Sequence, residues 1–243
     1  MPALDCATAA AAPGTAAAAL EAFLRAEATG EPSASYALLT SDSRTRYPTL
    51  EAWVEARPNR VRPVAFCLRS ERSVATDAVE LEVAATHRPS LDPFVGLVPA
   101  RSSQRWLVHR ERAGWRVPSA PQRFEYLLPG DQAAAQATSA WVERLASCDR
   151  RAAQTLQAAR HLYGPADLPA RPCRERGRWT AGAALTLDHA ADAQTLLAAF
   201  GSDVLTWGRA VPVRGPRSHF YAALAPIGDD WRVMGVLSDA GGR

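Results

Sequence analysis

The stretch Gln104-Arg105-Trp106-Leu107-Val108-His109-Arg110-Glu111-Arg112-Ala113-Gly114-Trp115-Arg116-Val117 decides how this chain is read. Trp106 and Val108 face one way and His109 the other, the period of two of a half-buried strand. Ala113-Gly114 is turn chemistry, and Trp115 to Val117 returns as the second arm of a hairpin. The closing triplet recurs as Trp231-Arg232-Val233, 116 residues further on. Upstream, Phe23 falls on Trp141 and Leu38 on Leu156, both at a spacing of 118. Recurrence of a triplet together with the order of the elements before it points to an internal repeat. The 243 residues then divide at Pro129-Gly130 into a flexible leader over 1–14, a first domain over 15–128 and a second over 131–240.

Working outward, the periodicity predicts a helix over Ala16 to Ala28, with Leu20, Phe23, Leu24 and Glu27 at i, i+3, i+4 and i+7. Gly30-Glu31-Pro32 stops it, and Ser33 or Ser35 can cap a short helix through Leu39. Thr49 opens a third helix, with Leu50, Trp53 and Val54 on one face, that Pro58 ends. Val64 to Leu68 and Val79 to Val83 alternate as strands, and Pro89 to Arg101, with three prolines, suits a loop. In the second half Asp131 caps a helix striped by Ala134, Ala137, Trp141 and Leu145, and another helix runs from Asp149 to about Leu162. Gly164 to Arg178 reads as an irregular insertion, and Asp188 caps a helix through Phe200. Val204 to Val213, Phe220 to Ala225 and Trp231 to Val236 are the closing strand candidates.

Composition excludes several chemistries. All 28 basic residues are arginine, so a Walker-type phosphate loop, a lysine Schiff base and a lysine general base are out. Together with the alanine excess, single isoleucine (Ile227) and single asparagine (Asn59), this reads as the codon habit of a GC-rich genome. Net charge is +3, with acids spread among the arginines, and no stretch is long and apolar enough to span a bilayer. As written the chain reads as cytoplasmic; with an export signal upstream or removed it would be extracytoplasmic. The cysteines Cys6, Cys67, Cys148 and Cys173 have no zinc-like spacing, and the five histidines never reach metal-ligand spacing, so no metal is expected. Cys148 and Cys173 share a half and are a possible disulfide, with two buried thiols as the alternative.

The element order resembles the nuclear transport factor 2-like superfamily. Leu20, Phe23, Leu24, Leu38, Leu39 and the Arg105 to Val117 hairpin carry the resemblance in the first half. Trp141, Val142, Leu156, Phe220, Leu224 and Trp231-Arg232-Val233 answer them in the second. The resemblance implies an α+β fold of two cone-like domains, each with N-terminal helices packed on a curved antiparallel sheet. Trp115 and Trp231 would plug the cones, so Trp115→Ala is expected to cost roughly 3–5 kcal/mol. It also implies that a cone mouth can hold a ligand, or a proton-transfer site as in ketosteroid isomerase.

For the ligand, Tyr36, Trp53, Phe66 and Trp106 are the expected pocket lining of the first cone. For catalysis the candidates are Asp42, Tyr47 and His109. Asp42 lies in a Ser/Thr/Arg-rich turn, where carboxylates cap helices, and His109 neighbours three charged residues at a hairpin end. The reading therefore favours a non-catalytic binding or scaffold protein holding a small apolar ligand, a peptide or a partner subunit, possible as a homo-oligomer, without a cofactor. Envelope machinery is a setting that the resemblance suggests. The alternative is a proton-transfer isomerase, dehydratase or hydrolase in the first cone. Arg171, Arg174, Arg176 and Arg178 form the densest basic loop, but Glu175 interrupts it and the footprint is small, so no nucleic-acid partner is expected.

Overall fold

In the computed structural model the described residues are 11–56, 62–92, 96–98, 100–159, 170–187 and 193–237. They form two compact units. The first holds the described residues before Pro89 together with Ala100–Leu127; the second holds Pro89–Pro99 and the residues from Leu128 onward.

In the first unit, four helices precede the sheet: α1 (Ala16–Thr29), α2 (Pro32–Ala37), α3 (Ser41–Arg46) and α4 (Leu50–Glu55). Thr15, Thr40 and Thr49 each accept a backbone N–H at a helix start, satisfying a donor that the helix itself leaves open. The short helix expected through Leu39 is α2, and a further helix, α3, follows it because Thr40 caps a new start across what reads as a polar turn. The strands are β1 (Ala65–Ala75) and β2 (Ala78–Thr86), then, past two short strands of the other unit, β5 (Arg101–Glu111), β6 (Gly114–Arg116) and β7 (Arg123–Tyr126). Those two, β3 (Ser90–Asp92) and β4 (Gly96–Val98), make a small hairpin where a loop was expected.

All pairings of the first sheet are antiparallel, in the order β1-β2-β5-β6, and β7 shares the edge of β5 with β6. Strand β1 runs seven residues past Leu68, which alternation alone would not predict. That extension is exposed and polar, and cross-strand pairs hold it: Arg72 with Glu80, and Ser70 donating to Glu82. At the β5–β6 turn Gly114 has φ +103°, a conformation that favours glycine. Leu20, Phe23 and Leu24 of α1 pack on Leu81, Val83, Trp106 and Val108. Trp115 is only half-buried at the edge of this core, so the expected 3–5 kcal/mol for its loss is too large. Trp53, fully buried, is the larger plug.

The second unit carries α5 (Asp131–Ala146), α6 (Arg150–Thr155), α7 (Arg171–Arg174), β8 (Thr180–Ala181), β9 (Leu185–Thr186), α8 (Ala193–Phe200), α9 (Val204–Trp207), β10 (Arg209–Arg214), β11 (His219–Ile227) and β12 (Asp230–Leu237). Its sheet runs β12-β11-β10-β8, with β9 also on β10. Helix α6 stops at Thr155, short of the Leu162 expected, as Gln157 turns aside to bridge Val233. The strand expected over Val204 to Val213 is half helix: α9 ends at Gly208, whose backbone is pressed against Leu187, and β10 begins at Arg209. The expected Asp188 cap lies outside the described residues.

Both units are α+β, with N-terminal helices packed on an antiparallel sheet. A detail recurs. In the first, Thr40 N donates to Val117 O and Val117 N to Leu38 O, tying the helices to the hairpin arm. In the second, Ala158 N donates to Val233 O and Val233 N to Leu156 O. These positions sit at the spacings of 118 and 116 found in the sequence.

Candidate functional site

One turn of helix separates Phe23 from Glu27, so the apolar stripe of α1 carries a carboxylate inward with it. Glu27 is 5% exposed. On β5 the same period of two that buries Trp106 and Val108 also buries Ser102 and Gln104. On β7, Phe124 and Tyr126 share one face with rings 5.4 Å apart. These groups, with Ser119 to Pro121 and the Arg62-Pro63 approach to β1, enclose a cavity of about 330 Å³ in the first unit. Its wall is mainly apolar, with Phe23, Trp106, Phe124 and Tyr126 its aromatic members and Glu27, Arg62, Gln104 and Ser119 its polar points.

Behind the wall runs a directed chain of hydrogen bonds. Trp106 Nε1–H donates to Gln104 Oε1 at 2.9 Å, and Gln104 Nε2–H to Ser102 Oγ at 3.0 Å. Ser102 Oγ lies 2.8 Å from His87 Nε2, and His87 Nδ1 lies 3.0 Å from the Arg62 carbonyl. An indole nitrogen only donates and a carbonyl only accepts, which orients every member between them. Nδ1 carries the proton, Nε2 accepts from Ser102, and the Gln104 amide presents its oxygen to Trp106. His87 is fully buried, and burial pushes its pKa below the ordinary value, partly opposed by the Arg62 carbonyl. The neutral ring is the form this chain requires. A complete buried chain of this kind fixes the Trp106 face of the cavity.

Of the four residues expected to line a pocket, Trp106 is on this wall. Trp53 lies in the core, with its Nε1–H donating to Ser35 Oγ at 3.0 Å. Phe66 and Tyr36 pack against the same core, and the Tyr36 hydroxyl donates to the Tyr47 carbonyl. Among the catalytic candidates, Asp42 is exposed in the first turn of α3 and Tyr47 stacks edge-on against Trp53 at 5.2 Å. His109 sits on β5 opposite Arg116, on the strand's other face from Trp106. None of the three lines the cavity. The acid that does, Glu27, was visible in the sequence as a charged residue inside an apolar stripe. Gln104 was equally visible as a polar residue on the buried period of β5. His87, read from sequence only as a residue before Arg88-Pro89, gave no such signal.

In the second unit Cys148 and Cys173 are bonded, with Cα atoms 5.0 Å apart, fastening α7 to the end of α5. Cys67 is also disulfide-bonded. Among the described residues no group of three or more His, Cys, Asp or Glu could hold a metal ion, and no helix is long and apolar enough to cross a membrane.

No family model matches the chain, and no curated protein sequence matches it. Among solved structures, the chain is similar to a ketosteroid isomerase-like protein from Erwinia carotovora atroseptica. The identity is 19% and the TM-score 0.30, covering 41% of this chain and 85% of that one. It is also similar to an Ntf2-like protein involved in plasmid conjugation, at 8% identity and a TM-score of 0.27, over 92% of this chain and 95% of that one.

Proposed function

We propose that the first unit binds a small, largely apolar molecule in the cavity between α1 and β5–β7, and that the second serves as a scaffold of related build. One observation carries this reading: a 330 Å³ space stays open beside a buried carboxylate in the first unit. Pockets of this size, mostly apolar with a few convergent polar groups, are the usual form of a small-molecule site. Glu27 supplies an acceptor at the inner wall, so the occupant carries an apolar body and a donor group. The recurring bridge at Val117 and Val233 supports reading the two units as tandem copies.

The test is titration of the purified chain with small aromatic alcohols and amines, read by tryptophan fluorescence. Saturable quenching that weakens about tenfold or more in Phe124→Ala is expected; a linear, unsaturable response from every compound would sink the proposal. A second reading, proton transfer in the same cavity, is favoured by the one carboxylate in its apolar wall. Glu27→Gln separates the two: a binder keeps measurable affinity, and an enzyme keeps affinity while losing turnover.

A further inference from the structure

The arginine loop looks small in the sequence because the rest of its surface comes from elsewhere in the chain. In the second unit, residues 175–180 pack against the β10–β11 hairpin. The Trp179 ring lies under Gly215, the Gly177 backbone meets the Pro216 ring, and Thr180 pairs with Arg214. This brings the segment with Arg176 and Arg178, which flank Gly177, onto the hairpin that carries Arg214 and Arg217, and Arg171 and Arg174 lie just before that segment on α7. Except for Arg171, which is half-buried, these side chains are exposed. Some arginines elsewhere in the chain pair with acids, as Arg72 does with Glu80 and Arg209 with Asp131. None of these six has an acidic partner among the described residues. The acid within this segment is turned inward: Glu175 Oε1 accepts from Ser218 Oγ at 2.8 Å and Oε2 is buried.

The hairpin is also concave. It lines a hollow of about 410 Å³ into which Arg214, Arg217, Ser218, His219 and Tyr221 contribute. Trp179, Val213 and Phe220 beneath it are buried, so the surface lacks the apolar centre that a protein–protein interface needs. A flat bilayer would reach the tips of the arginines and leave the hollow empty. A strand of phosphodiesters can enter it, and arginine guanidinium groups with neutral hydroxyl donors suit phosphate oxygens.

We infer that this end of the second unit binds the phosphate backbone of a single-stranded nucleic acid, without reading its bases. The expectation of no nucleic-acid partner weighed the loop by itself; the hairpin packed against that loop adds Arg214 and Arg217.

The experiment is fluorescence anisotropy of a fluorescein-labelled, mixed-sequence DNA oligonucleotide with the full chain, between 50 and 200 mM NaCl. If four to six phosphates are neutralised, log K falls with log salt at a slope of about −3 to −4, a loss of about 50- to 300-fold over that range. The Arg214→Gln/Arg217→Gln pair should lower affinity at least tenfold and flatten the slope by about 1.4. Arg176→Gln/Arg178→Gln should act alike, while Arg72→Gln in the first unit should change nothing. Circular dichroism melts of both double variants confirm that folding is intact, so one failing to fold leaves the other to decide. The inference is overturned if the wild-type chain shows no saturable binding at 50 mM salt, or if both double variants bind as it does. Equal binding to phosphatidylserine vesicles or polyglutamate at matched salt overturns it too.

Discussion

Phe23 and Trp141, related by the spacing of 118, are both buried on the first helix of their respective units, yet their surroundings differ. In the second unit Trp141 packs edge-on against Phe220, with ring centres 6.2 Å apart, and Trp179 closes on Phe220 at 5.9 Å. At the spacing of 118, Glu27 corresponds to Leu145; at 116, Gln104 corresponds to Phe220 and Trp106 to Ala222. Glu27 and Gln104, the polar points of the first unit's cavity, thus answer to apolar residues that belong to the buried core of the second. The indole nitrogens show the same contrast. Trp106 is satisfied by Gln104, whereas Trp141 Nε1 is buried with no hydrogen-bond partner among the described residues. The first unit holds a satisfied polar chain beside an open space, and the second holds a packed aromatic cluster.

Leu145→Glu would break this contrast most severely. It puts into the buried core of the second unit the acid that the first accommodates beside a cavity. A loss of about 3–5 kcal/mol is expected in a urea melt, from burying a charge among apolar neighbours. A change below 1 kcal/mol would mean that the two helices are not equivalent. Next, Cys148→Ser with Cys173→Ser opens a bridge spanning 25 residues. The loss should be about 3 kcal/mol by chain entropy, confined to the second unit's transition.

Trp115→Ala should cost roughly 1–2 kcal/mol, because the ring is half-exposed at the edge of the core. Trp53→Ala, with the ring fully buried, should cost at least twice as much; equal losses would refute the assignment of Trp53 as the plug. The smallest effect is acid sensitivity of the first unit. In the unfolded chain His87 gains its proton near pH 6.5, while burial keeps the folded ring neutral to lower pH. As pH falls below about 6.5 the unfolded state binds the proton first, so stability declines until the folded ring protonates as well. Wild type should lose stability from pH 7.5 to 5.5 more steeply than His87→Gln; parallel curves would remove His87 from the account.

Much of this was legible in the chain. The stripe of α1, the Thr49 cap, the hairpin at Gly114 and the 116-residue recurrence are short-range patterns, and local sterics express them directly. The exposed half of β1 was not legible, because cross-strand partners hold it and its own pattern does not. Nor was β7, four residues whose stability comes from the edge of β5. For the site, Trp106 was found by alternation, but Trp53 and Phe66 were placed on the wall when they belong to the core. Alternation tells which way a side chain faces and not what stands opposite it.

By itself, then, the sequence determined that helices precede strands twice, which faces turn inward, and that Glu27 and Gln104 are among the inward residues. Only the tertiary structure decided that those two meet across an open space while Leu145 and Phe220 belong to a buried core. It also decided that arginines some 40 residues apart share one surface. The reason is physical: an inward face is set by periodicity within one element, whereas a cavity is the volume left after side chains from distant segments have been packed together.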